Sequence, residues 1–221
     1  MVDLTAKSRL IEAALKLAAE KPWSEVSLVD VAAAAGMNLA EVRAVAGSKS
    51  QLVAAFLRQI DEKVLAQVKG RTEGQSARDT LFEVIMSRFD AMMPMKAAVK
   101  SFASAGQMDT TLIMPFLNSQ RWMLAAAGID ADGPTGLVRT AGLGAAYMSA
   151  FNVWLADDDP GMAKTMAALD QRLRRGERTL STIEGTLGGV TRIARDLPGV
   201  VRDLLSRRRG AEAKPAEPPV G

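Results

Sequence analysis

The chain has 221 residues, 48% of them hydrophobic and only 5% aromatic, enough for one or two cores of a helical protein rich in Ala, Leu and Met. It contains no cysteine and no histidine, which excludes disulfides, Cys/His metal sites, cysteine nucleophiles and any catalytic triad built on an imidazole base. Its net charge of +3 is uneven: residues 1–49 hold six basic and six acidic side chains, residues 171–221 eleven basic and six acidic, so the basic footprint that commonly marks a nucleic-acid face lies towards the C-terminus.

In chain order, the opening nine residues lack the apolar stretch of a signal peptide, and with the absence of cysteine this makes a cytoplasmic location the expectation. A first helix is expected over 5–20, where Ile11, Ala14, Leu15 and Ala18 recur at helical spacing, and Lys21-Pro22 ends it. Trp23 and Val26 then read as apolar plugs beneath two short helices. Ser27 with Asp30 and Asn38 with Glu41 each form a capping box, in which a side-chain oxygen takes a first-turn amide and an acid reaches back to the cap residue's own N–H. Between them Gly36 supplies the left-handed residue that ends one helix and turns the chain into the next. Ser48 with Gln51 marks a third helix start. The pattern is a helix-turn-helix whose second helix would enter the major groove.

These residues resemble the TetR family of bacterial regulators, in which a three-helix DNA-binding head is followed by a helical ligand-binding, dimerising body. Leu28 to Ala32 is similar to the family's second helix, Ala35-Gly36-Met37-Asn38 to its turn, and Ser48-Lys49 with Leu52 to the start of its fourth helix. Two positions depart from the family: Arg43 stands where a recognition-helix tyrosine is usual, and Ala46 where an aromatic residue precedes the Ser-Lys pair. The resemblance, with the chemistry of helix N-termini, implies phosphate contacts from Ser27 and Lys49, and Asn38 belongs to the same surface. Leu39 and Arg43 are placed to face base edges, and an arginine there can take guanine with two hydrogen bonds. The expected partners are a double-stranded DNA operator and a second copy of the chain.

Further along, Leu52, Phe56, Ile60 and Val64 predict a connecting helix over 49–69, and 70–76 is the most loop-like interior stretch. Helices are expected over 77–93, broken by Pro94, over 95–105, and from a cap at Asp109 to 127. Methionines crowd this region, and two readings stand side by side: ordinary core, or a plastic pocket for an apolar small molecule or lipid. The pocket reading takes Met86, Phe89, Met93, Phe102, Phe116, Trp122, Tyr147 and Phe151 as its lining. A long helix over 134–156 is rich in small residues, and Asp159-Pro160 reads as N-cap and first position of the next. In TetR-like proteins this late pair of helices forms the dimer interface.

Beyond it, Leu180, Ile183, Leu187, Val190, Ala194, Leu197, Val201 and Leu204 form an apolar stripe with arginines off it. Such a segment either covers apolar surface of the body or lies on an anionic membrane. It brings a second resemblance: residues 87–91, 153–159 and 169–173 are similar to TetR-fold accessory proteins of ubiquinone biosynthesis, which hold a lipid, carry an extra amphipathic helix and do not act as repressors. No phosphate-cradling loop and no catalytic constellation emerges, so neither an enzyme nor a cofactor is expected.

The sequence therefore predicts an all-α protein: a helix-turn-helix head over 1–48, the connecting helix over 49–69, a ligand-binding and dimerisation body over 70–179, an amphipathic segment over 180–209 and a disordered tail over 210–221. The function it points to is a TetR-type regulator, a repressor, released from DNA by an apolar ligand. The alternative is the membrane-associated lipid-binding accessory protein, with residues 180–209 on the membrane surface.

Overall fold

A computed structural model describes residues 4–68, 70–106 and 109–184, and among these every regular element is a helix. Helix α1 (Leu4–Glu20) turns Leu10, Ile11, Ala14 and Ala18 inward, as its apolar spacing requires. After a 3-10 turn at Trp23–Glu25 come α2 (Leu28–Ala35) and α3 (Leu39–Val45), whose Val31, Ala32 and Val42 complete a small core with Val26 and Met37. Helix α4 (Lys49–Leu65) starts in this head and packs on α1, then runs on to pack against α5 (Ala77–Met92) and α7 (Ile113–Ala126). It ends short of the expected 69 because the amides of Gln67 and Val68 bond back to Val64 and Leu65, which tightens the last turn.

Pro94 sits in a 3-10 turn, Met93–Met95, before α6 (Lys96–Gly106). Asp109 caps a further 3-10 turn, Thr110–Leu112, and α7 begins only after it. Helix α8 (Gly133–Ala156) packs most extensively on α9 (Ala163–Glu184). Here one expectation is corrected. Asp159-Pro160 does not begin the last helix: Met162 takes a left-handed φ of 53° and α9 starts after it. The acids still serve as caps, because Asp159 accepts from the amide of Ala163 at 3.2 Å and Asp157 from the amide of Thr165 at 3.0 Å. Two carboxylates dividing the first amides of α9 hold a longer turn than a single cap would. Helix α9 continues to Glu184, into the start of the amphipathic segment; residues 185–209 of that segment and the tail over 210–221 lie outside the described residues. No helix of the described residues is long and apolar enough to cross a membrane.

Head and body share one core, and Trp23 is the seam. Its amide donates to Ser101 Oγ of α6 at 2.8 Å, and its ring meets Phe102 edge-on at 4.9 Å, with Phe56 of α4 6.0 Å beyond. Ser50, in the first turn of α4, donates to the carboxylate of Asp109, which ties the same junction to the segment before α7.

Candidate functional site

The two caps of the helix-turn-helix form as their spacing requires. Ser27 Oγ accepts the amide of Asp30 at 3.1 Å while the Asp30 carboxylate accepts the amide of Ser27 at 2.8 Å. Asn38 and Glu41 repeat the exchange at 3.0 and 2.7 Å. Those bonds, the backbone bond first, hold the Asp30 carboxyl below its ordinary range. Gly36 has φ 61°, and the amides of Gly36 and Met37 bond the carbonyls of Ala33 and Ala32, which is the reciprocal closure of a helix by a left-handed glycine. Arg9 of α1 donates to the carbonyls of Ala35 and Gly36, so the turn is also held from below.

Helix α3 buries Val42 and leaves Leu39, Ala40, Arg43 and Ala44 exposed. Since Glu41 is engaged with the Asn38 amide, Arg43 is the one cation of this helix and it stands on the outer face. Ser27 and Asn38 are exposed at the starts of α2 and α3. Lys49 behaves differently from the other four candidate residues of the head. Its ammonium donates to the carbonyl of Trp23 and lies 4.8 Å over the Trp23 ring, half-buried, and burial holds its pKa below the ordinary lysine value against an opposing pull from Asp30. It is turned towards the Trp23 turn of the protein.

The eight candidate pocket residues do not form one group. Phe89, Tyr147 and Phe151 do come together, in a ring of near-parallel aromatic side chains closed by Trp154 with centroids 5.3–5.9 Å apart, and Phe116 leans on Tyr147 at 5.8 Å. Met86 is buried nearby and lines a surface groove with Phe82, Met162 and Met166. Met93 is only half-buried, Phe102 belongs to the head–body seam, and Trp122 is 55% exposed on α7. The spacing of α7 explains the last: Ser119, Gln120, Met123 and Leu124 take the inner face, so the residue between them points out.

Under the aromatic ring lies a polar group that the sequence reading passed over. Arg88 of α5 is 1% exposed, pairs with Asp61 of α4 at 3.0 Å and sits 4.9 Å from the Tyr147 ring centre. Burial pushes the Asp61 carboxyl up, opposed by Arg88, and burial likewise raises the Tyr147 phenol. The signal was present: Leu81, Ile85, Arg88 and Met92 share one face of α5, so a charged residue stands in an apolar stripe.

This arrangement of helices has solved counterparts. A TetR transcriptional regulator from Nitrosomonas europaea superposes with a TM-score of 0.62 at 20% identity over 77% of this chain and 97% of that one. A TetR transcriptional regulator from Rhodococcus sp. RHA1 gives 0.61 at 20% identity over 78% and 95%. The chain has the TetR fold. A TetR-family transcriptional regulator from Streptomyces coelicolor matches over 97% of this chain and all of its own, with a TM-score of 0.55 and 18% identity. No protein-family model and no curated protein matches the sequence significantly. At such low identity the likeness lies in the order and packing of helices, and within the TetR fold the capped pair α2–α3 occupies the head.

Proposed function

We propose that the protein is a DNA-binding transcriptional regulator that acts as a homodimer, represses by occupying an operator, and is released by a small molecule held in the body. The observation that carries this reading is the helix-turn-helix itself. Two reciprocal capping boxes and a left-handed glycine, braced by Arg9, set α3 rigidly with Leu39, Ala40, Arg43 and Ala44 facing outwards, and a rigid presented helix is what base readout needs. Arg43 reads a guanine, Leu39 and Ala40 meet apolar base edges, and Ser27 and Asn38 at the helix starts lie against the backbone. Lys49 supports the interface from behind by holding the Trp23 turn. Binding and release, with no reaction, is the activity.

The dimer would form through the outer faces of α8 and α9, where Met148 and Met166 are exposed beside Gly142 and Ala145. Small residues there let two helix pairs approach closely. Salt-dependent binding to DNA fragments selected from a random library tests the reading. Log affinity should fall with log salt by roughly 0.9 per phosphate neutralised, and the slope should be shallow because Arg9, Lys21 and Lys49 are engaged in contacts within the head. Arg43→Ala should change the selected sequence at one position per half-site. Absence of salt-sensitive binding to any DNA would sink the proposal.

A further inference from the structure

Helix α5 turns Glu83, Ser87 and Asp90 outwards, a face two turns long with an acid at each end and a serine between them. Among the described residues neither acid has an ion-pair partner. The same three residues border a surface groove of about 550 Å³ between α5 and the start of α9, whose apolar lining is Phe82, Met86, Met162 and the 37% exposed Met166. The two helices run antiparallel along it: Arg78, at the start of α5, pairs with Glu177, towards the end of α9, at 3.3 Å, whereas Met86 shares the groove with Met162 and Met166. An apolar groove with unanswered acids on one rim is the complement of a basic amphipathic helix.

The sequence that follows α9 carries the matching pattern. Val201, Leu204 and Leu205 recur at helical spacing, and Arg202 and Arg209 stand beside them seven positions apart, as Glu83 and Asp90 do on α5. We propose that residues 197–209 of the same chain dock in this groove as a short helix parallel to α5, with Arg202 against Glu83, Arg209 against Asp90, and Val201, Leu204 and Leu205 over Phe82, Met86 and Met166. The chain is long enough to make the return. Glu184 lies about 10 Å along α9 from Glu177 at 1.5 Å per residue, and residues 185–196 can span up to about 40 Å when extended. Gly185, Gly188 and Gly189 permit the reversal, and Pro198 suits the first turn of a helix, where its missing amide leaves no bond unmade. The short tether gives the contact a high effective concentration within one chain, which favours it over the same contact to a second copy. An anionic membrane would attract the same arginines but leave the acids of α5 unanswered. Docked there, the segment adjoins Met166, at the edge of the α8–α9 face proposed for the dimer, and leaves Met148 uncovered. The proposal stands apart from the regulator reading, since it needs no DNA.

The chain contains no cysteine, so Ser87→Cys combined with Ser206→Cys creates a single pair of thiols in the full-length protein. Ser206 lies between Arg202 and Arg209 as Ser87 lies between Glu83 and Asp90, and the proposed register brings the two together. Mild oxidation should close a disulfide within one chain, at a rate unchanged by dilution. Adding Glu83→Arg and Asp90→Arg should slow closure at least about ten-fold, and Arg202→Glu with Arg209→Glu on top of these should restore it, because the pairing is then reversed in sign and intact. Helical spectra establish that each variant is folded. No closure, closure indifferent to the charge reversals, or a disulfide formed only between chains would overturn the proposal, the last by giving the segment to a second copy. Thiols that stay apart in a protein that co-sediments with phosphatidylglycerol vesicles, and loses that binding with Arg202→Glu and Arg209→Glu, would overturn it in favour of a membrane surface.

Discussion

Lys49 and Arg43 illustrate how two cations a few residues apart come to different work. Arg43 projects from the outer face of α3, so removing it changes no packing, and Arg43→Ala should leave the urea midpoint within about 0.5 kcal/mol of wild type. Lys49 satisfies the Trp23 carbonyl and lies on its ring, so Lys49→Met keeps the apolar stem but strips a charge-assisted hydrogen bond and a cation–π contact. A loss of about 1–3 kcal/mol is expected, read as a lowered urea midpoint at unchanged slope. If Lys49→Met were as stable as wild type and only DNA affinity fell, the lysine would be a phosphate contact after all. Both residues were named from the sequence as interface residues. What separates them is the position of Trp23, which comes from a turn between α1 and α2 and is packed by Phe102 of α6.

At the scale of elements, the connection from α8 to α9 rests on acidic caps. Asp157 is buried and its carboxylate accepts from both the amide of Thr165, at 3.0 Å, and its hydroxyl, at 2.8 Å, bonds that hold its pKa below the ordinary 3.8. The folded state therefore favours the ionised form. Its contribution to stability is present above about pH 4 and is lost as the pH falls through the lowered folded-state value. Thermal melts of Asp157→Asn should lie below wild type at neutral pH, with the two curves converging as the solution is acidified below about pH 4. Parallel curves throughout that range would remove Asp157 as the source. The helix starts at Ser27, Asn38 and Ser48 were all visible locally, because a cap and its third-position partner lie on one short stretch. The start of α9 was misplaced at Asp159-Pro160 since its turn depends on a left-handed Met162, which has no signature in side-chain pattern.

For the molecule as a whole, α4 links the head to the body, and the outward faces of α8 and α9 are those proposed to meet a second copy. Met148, 41% exposed on α8, stands in the middle of that proposed interface. Met148→Glu places a charge at a surface that must become dry, so sedimentation should show wild-type dimers and a monomeric variant with an unchanged helical spectrum. A variant that stays dimeric would move the interface elsewhere, and the exposed Trp122 and Met114 of α7 would be the next surface to test.

The order and type of the helices, the capped turn and the inward stripes of α1 and α4 were determined by the sequence itself, because each depends on residues within a few positions of one another. Tertiary structure alone decided which apolar residues share a cluster. Phe102 and Phe89 are both buried, yet one closes the seam against Trp23 and the other stacks on Tyr147. It also decided the direction of Lys49 and the meeting of Asp61 with Arg88, whose partners come from other elements of the chain. Local periodicity fixes the face a side chain occupies; what that face meets is set by the crossing of helices, and no short-range pattern encodes it.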